Sequence, residues 1–167
     1  MTEDQRFAGQ RPDVLTFTSE EMFSDLTIAG PVRANLYVST SGSASDWIVK
    51  LIDVHPNDHK TKPAAQLLVR GDILRGRFRD SYEFPKPFEP NRITPLTVEL
   101  QDILHTFKRG HRIMIQIQST WFPLFDRNPQ TYVDNIFQAE KKDFVTVKNS
   151  IYRSVDFPSH LQISVLE

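Results

Sequence analysis

From Val32 to Ser39, apolar and polar residues alternate one for one: Val32, Ala34, Leu36 and Val38 against Arg33, Asn35, Tyr37 and Ser39. Successive side chains of an extended strand point to opposite faces, so this spacing predicts a strand with one buried face. The same period recurs in Leu96, Val98 and Leu100, in Ile113, Ile115 and Ile117, and in Leu161, Ile163 and Val165. Met114, Gln116 and Gln118 fall on the opposite face of the second of these. The run Trp47 to Ile52 is apolar at nearly every position, which predicts a central strand covered on both sides.

The punctuation between these runs agrees. Gly30-Pro31, Ser41-Gly42-Ser43 and Pro56-Asn57-Asp58 bracket the strands, and Lys108-Arg109-Gly110 reads as a tight turn. Four prolines, Pro85, Pro87, Pro90 and Pro95, fall in one connecting stretch and remove the amide donors that regular structure needs. Tyr132 to Lys142 is compatible with one short helix or with a loop. Short strands, frequent turn signals and almost no helix predict one all-β domain over residues 1–167, a sandwich or barrel.

Composition narrows the function classes. Twenty basic residues against twenty-one acidic ones leave a formal net charge of −1, which gives no electrostatic reason to expect a nucleic acid or a membrane as partner. There are no cysteines, so disulfides, thiol catalysis and thiolate metal sites are excluded together. The compartment stays open. No Gly-x-Ser-x-Gly nucleophile elbow occurs and no βαβ rhythm exists to hold one, so no catalytic residue is assigned.

Three constellations remain. His55 and His59, with Asp53 and Asp58, form the sequence's candidate metal site. The Pro56-Asn57-Asp58 turn between the two imidazoles favours a solvated loop, and neither a metal nor another cofactor is expected. Arg75, Arg77 and Arg79 recur at period two, so an extended strand would align three guanidinium groups on one side. Two readings stand level: an exposed face paired with carboxylates of the same chain, and a domain interface. Trp121, Phe122 and Phe125 form an aromatic cluster among turn residues. Core packing at a corner is favoured over a sugar-binding platform, with Asp126 and Asn128 expected to bond their own backbone.

Five segments in order carry a resemblance: RPDVLTFTSE (Arg11 to Glu20), DWIVKLIDVHP (Asp46 to Pro56), GDILRGRFRDSYE (Gly71 to Glu83), KRGHRIMIQIQSTWFPLFDRNPQTYVDNIF (Lys108 to Phe137) and FPSHLQISVL (Phe157 to Leu166). Together they resemble the C-terminal domain of the X-Pro dipeptidyl-peptidase and cocaine-esterase family of serine hydrolases. The fourth segment looks closest to the α-amino-acid ester hydrolase and glutaryl-7-aminocephalosporanic-acid acylase branch. The resemblance implies a jelly-roll sandwich of the galactose-binding-like kind, lacking an opening strand. It also implies a non-catalytic role, packed against an α/β-hydrolase domain that carries the Ser-His-Asp triad. No triad position maps onto this chain. An unpaired sheet edge and an uncovered interface imply self-association of the domain in isolation. The alternative from another class is a self-standing carbohydrate-binding β-sandwich.

Overall fold

The computed structural model describes residues 3–166. A four-residue helix, α1 (Arg6–Gly9), precedes nine strands: β1 (Val14–Thr18), β2 (Leu26–Thr40), β3 (Asp46–Val54), β4 (Gln66–Arg75), β5 (Thr94–Phe107), β6 (Arg112–Gln118), β7 (Asn149–Tyr152), β8 (His160–Gln162) and β9 (Val165–Leu166). One sheet has the order β1-β6-β3-β4 and the other β5-β2-β7. β8 and β9 also pair with β2, so β7, β8 and β9 form one interrupted lane along a single long strand. All pairings are antiparallel. Of the sandwich or barrel predicted from the alternation, the all-β sandwich is the observed architecture, open rather than a closed barrel.

Connections pass back and forth between the sheets, β1 to β2 to β3 and β4 to β5 to β6, as in a jelly roll. A full jelly roll places four strands in each sheet. Here the second sheet holds three lanes, and no strand lies beyond β7–β9 among the described residues. Along that edge the sheets part around an apolar cavity of about 220 Å³, lined by Phe17, Leu36, Ile115, Ile151 and Leu161.

The core follows the sequence pattern closely. Val32, Ala34, Leu36 and Val38 of β2 meet Trp47, Val49 and Leu51 of β3 and Leu96, Val98 and Leu100 of β5. The inward register of β5 then changes. Gln101 takes a left-handed φ of 61°, and the pairing with β2 shifts between Pro31 and Arg33. This bulge puts two residues opposite one, so beyond it Ile103 and Phe107, rather than Leu104, enter the core. His105 shares their side.

β6 corrects one expectation. Met114, Gln116 and Gln118, assigned to the polar outer face, are buried, whereas Ile113 and Ile115 are only partly so. The outer face of the first sheet is roofed. Residues before β1 run along the edge of β4, where Gln5 N donates to Gln66 O (2.7 Å) and Leu68 N to Glu3 O (2.9 Å). α1 then lies across the sheet, and Gln116 Nε2 reaches Gln5 O at 3.3 Å. Ile115 and Ile117, by contrast, line the cavity at the open edge.

Beneath this roof lies Lys50, only 1% exposed. Its ammonium donates to Gln5 Oε1 (2.9 Å) and Gln118 Oε1 (3.3 Å) and stands 4.5 Å above the Trp121 ring. None of these partners is a carboxylate, and burial lowers the Lys50 pKa to about 8. Between about pH 8 and the unfolded value of 10.5 the unfolded chain holds this proton and the folded chain does not. Stability from this residue therefore rises with pH across that window. Wild type should gain on Lys50→Met by on the order of 3 kcal/mol between neutral pH and the top of the window. Urea denaturation of both proteins across that range checks this, and parallel pH profiles would exclude it.

Candidate functional site

The Arg75–Arg79 stretch is not a strand. β4 ends at Arg75, and Gly76–Phe78 form a single 3-10 turn. Gly76 N donates to Ser45 O at 2.9 Å, and a Cβ at Gly76 would lie 2.6 Å from that oxygen and collide with the Phe88 ring. Only glycine fits there, and the chain turns instead of continuing extended. The three guanidinium groups therefore do not align.

Each one is engaged within the chain. Arg75 pairs with Asp46 at 3.1 Å. Arg77 donates to Val133 O (2.7 Å) and Tyr132 Oη (3.1 Å) and stacks 4.5 Å from the Tyr132 ring. Arg79 donates to Gly76 O, Lys86 O and Pro87 O at 2.9, 3.0 and 2.9 Å and covers the Phe88 ring. Of the two readings left open, the internal one describes these contacts, with one carboxylate and several backbone carbonyls as acceptors. Arg77 and Arg79 tie the long loops after β4 and after β6 to the sandwich. Asp46, almost fully buried, also accepts from Asn128 Nδ2 at 2.7 Å. Burial outweighs both partners and raises its pKa to about 6.

The aromatic corner divides. Trp121 is 6% exposed, stacked over Lys50 and against Gly71, with Phe125 5.9 Å away in a tilted arrangement. Phe122 is 52% exposed, and Arg127 stands 4.9 Å over its ring. No coplanar exposed pair exists here, so the sugar-platform reading loses its main support. Asn128 behaves as expected, accepting from Gln130 N at 2.8 Å. Asp126 does not: it is exposed and makes no hydrogen bond among the described residues.

The histidines differ most from expectation. His59 N donates to Pro56 O at 3.2 Å, so the intervening turn curls back instead of separating the two rings. Their centroids are 4.6 Å apart. A third ring joins them: β3 and β6 pair Val54 with Arg112, so His55 and His111 meet one step beyond, with centroids 4.5 Å apart. Asp58 takes no part. Asp53 lies beneath and accepts from His111 Nδ1 (2.8 Å) and from His105 Nε2 across the sandwich (3.0 Å). Burial opposes ionisation of Asp53, but the two histidine bonds more than offset it and hold the carboxyl below its ordinary range. Burial moves His55 toward its neutral form against the pull of Asp53. His111 escaped the sequence reading because it lies 56 residues from His55; only the β3–β6 register unites them.

These Asp–His pairs do not form a hydrolytic triad. Among the described residues no serine hydroxyl bonds a histidine ring. A nucleophile needs a base within hydrogen-bond reach.

Comparison with known proteins fits this picture. The family described as the X-Pro dipeptidyl-peptidase C-terminal non-catalytic domain matches residues 3–162. The chain belongs to that family. Cocaine esterase of Rhodococcus sp. (strain MB1 Bresler) is 32% identical over 164 residues, which are 98% of this chain and 27% of the esterase. An aminopeptidase from a marine sediment Thaumarchaeota archaeon superposes with a TM-score of 0.96 at 39% identity, covering 99% of this chain and 28% of that one. An α-amino acid ester hydrolase superposes with a TM-score of 0.95 at 46% identity, covering 99% and 27%. This family member thus spans little more than a quarter of each relative. The family resemblance drawn from the five sequence segments is the one these comparisons show, with an α-amino acid ester hydrolase among the relatives.

Trp121→Ala should destabilise the fold by about 3–5 kcal/mol, as large-to-small changes in cores do. Thermal or urea melts decide this, and an unchanged melt would return Trp121 to the role of an exposed platform.

Proposed function

We propose that the whole chain is the non-catalytic C-terminal domain of a serine hydrolase acting on ester or amide acyl groups, and that it packs against an α/β-hydrolase domain of the same polypeptide. The observation that carries this reading is the match of residues 3–162 to a non-catalytic domain family, by a chain that covers only 27–28% of its enzyme relatives. Chemistry supports it: the described residues contain no serine–histidine pair, so the nucleophile belongs elsewhere. If the likeness to the α-amino acid ester hydrolase extends to the whole protein, the substrates are α-amino acyl esters or amides.

The packing surface we propose is the loop that follows the Arg75–Arg79 turn. Tyr82 and Phe84 stand out from it, 80% and 69% exposed, while Arg77 and Arg79 brace it from below. Tyr132 Oη also donates to Pro85 O at 3.2 Å, joining the loop after β6 to the same support. A firmly held loop with uncovered aromatics is what a partner domain can bury without first ordering it. The arginines therefore serve an interface by shaping it from within rather than by offering free forks at its rim.

The purified 167-residue chain should not hydrolyse activated acyl esters or X-Pro chromogenic amides. Turnover above buffer rates, together with stoichiometric labelling of one serine by a fluorophosphonate, would overturn the non-catalytic assignment.

The same chain should self-associate weakly through its uncovered aromatics. Tyr82→Ser with Phe84→Ser should abolish this in sedimentation velocity while leaving the melting temperature unchanged. A strictly monomeric wild-type chain, or association indifferent to both substitutions, argues against this loop as the packing surface.

A further inference from the structure

We propose that His55, His59 and His111 form a three-imidazole binding site for a divalent transition-metal ion of the zinc kind, with Asp53 as the positioning residue for His111. The three rings each offer a ligand nitrogen, and these nitrogens lie within 4.8 Å of one another. Nitrogens bound to one tetrahedral ion stand roughly 3.3 Å apart, given metal–nitrogen bonds of about 2.0–2.1 Å. The closure needed is on the order of 1–1.5 Å, and one of the three ligands sits in a turn that can supply it.

Each ring's surroundings fit the role. His111 donates from Nδ1 to the Asp53 carboxylate at 2.8 Å, which leaves the Nε2 lone pair free to ligate. A carboxylate behind a histidine fixes tautomer and ring orientation, the usual outer shell of a histidine metal ligand. Asp53 is itself held by His105 at 3.0 Å from the opposite sheet. His55 Nδ1 is buried with no hydrogen-bond partner among the described residues. A buried polar atom left unpaired carries a desolvation cost that a bound ion would remove. His59 is the adaptable ligand. Its Nδ1 accepts only from the Thr61 and Lys62 amides, at 3.4 and 3.1 Å, and the ring is half-buried in a turn rather than locked in the core, so little is lost if it moves. With no thiolate present and three neutral nitrogens, the set suits zinc, nickel, cobalt or copper rather than calcium or magnesium. A fourth position would be left for water.

Such an ion would act as a clip. It would join the end of β3, the turn after it and the start of β6, and through Asp53 and His105 it would reach β5. Binding to the folded chain alone raises stability by mass action.

The test uses the untagged 167-residue chain, stripped of metal and titrated with zinc chloride, with cobalt chloride as a spectroscopic probe. One equivalent of zinc should raise the melting temperature. Cobalt should give the visible absorption of a nitrogen-ligated low-coordinate site, displaced by zinc. His59→Ala, which removes a half-buried turn residue outside the apolar core, should weaken zinc binding at least tenfold. Asp53→Asn should weaken it about 10–100-fold without abolishing it. A wild-type melt unmoved by stoichiometric zinc together with a featureless cobalt titration overturns the proposal. So does zinc binding that is unchanged in His59→Ala, since the ion would then be held elsewhere.

Discussion

The structure depends on burying β3 from both sides. A strand whose residues are inaccessible from Asp46 to Asp53 has no solvent face, so it needs a second sheet beneath and a cover above. The second sheet supplies the apolar core in the usual manner of a sandwich. The cover is made from little material: the segment leading into α1, the helix itself, and the Trp121 side chain from the loop after β6. That economy explains the composition of the outer layer. Glutamines and a lysine fill it: Lys50 donates to Gln5 and Gln118 and Gln116 Nε2 donates to the Gln5 backbone, while Gln116 Oε1 is left without a partner among the described residues.

The same constraint organises the ends of the sandwich. At one end Asp46, the first residue of β3, gathers Arg75 and Asn128 and so links the Arg75–Arg79 turn to the aromatic corner. At the other end Asp53 gathers His105 and His111 and links the two sheets. Both carboxylates lie on the strand buried from both sides, and each organises the loops or strands around it. One of these polar ends shapes the loop we assign to partner packing; the other shapes the histidine cluster. The strand that is least accessible thus positions the features of the domain that face outward.

Much of the sandwich was legible because alternation reports burial directly. Val32 to Val38 and Leu96 to Leu100 fall on the core face as their spacing requires. Reading failed where a face that looks polar is covered, as at Gln116, since a covering segment from the far end of the chain leaves no local mark. It failed again at Arg77 and Arg79, whose period-two spacing was overruled by one glycine lodged under Phe88. The stretch from Tyr132 to Lys142, left open between one short helix and a loop, is a loop with two 3-10 turns, Ile136–Gln138 and Lys141–Asp143, too short to leave a helical period. Of the histidine cluster the sequence offered His55 and His59 but not their convergence, because a turn residue's direction depends on φ and ψ rather than on spacing. His111 was invisible for a different reason: its neighbours are set by strand register across 56 residues.

The bulge at Gln101 makes the length of β5 itself part of the design. Upstream of it the even-numbered residues face the core; downstream the odd-numbered ones do. Drawing Gln101 into the regular ladder, with no residue removed, would carry the even-numbered face inward and turn Ile103, His105 and Phe107 outward, with Leu104 and Thr106 taking their places. Asp53 would lose its link to the second sheet even though neither member of that pair had been altered. Substitutions at Gln101 need to tolerate a left-handed backbone, whereas deletion of Gln101 would restore strict alternation with Ile103, His105 and Phe107 still facing inward. The backbone conformation of one residue, not its side chain, keeps the two sheets in conversation at that end.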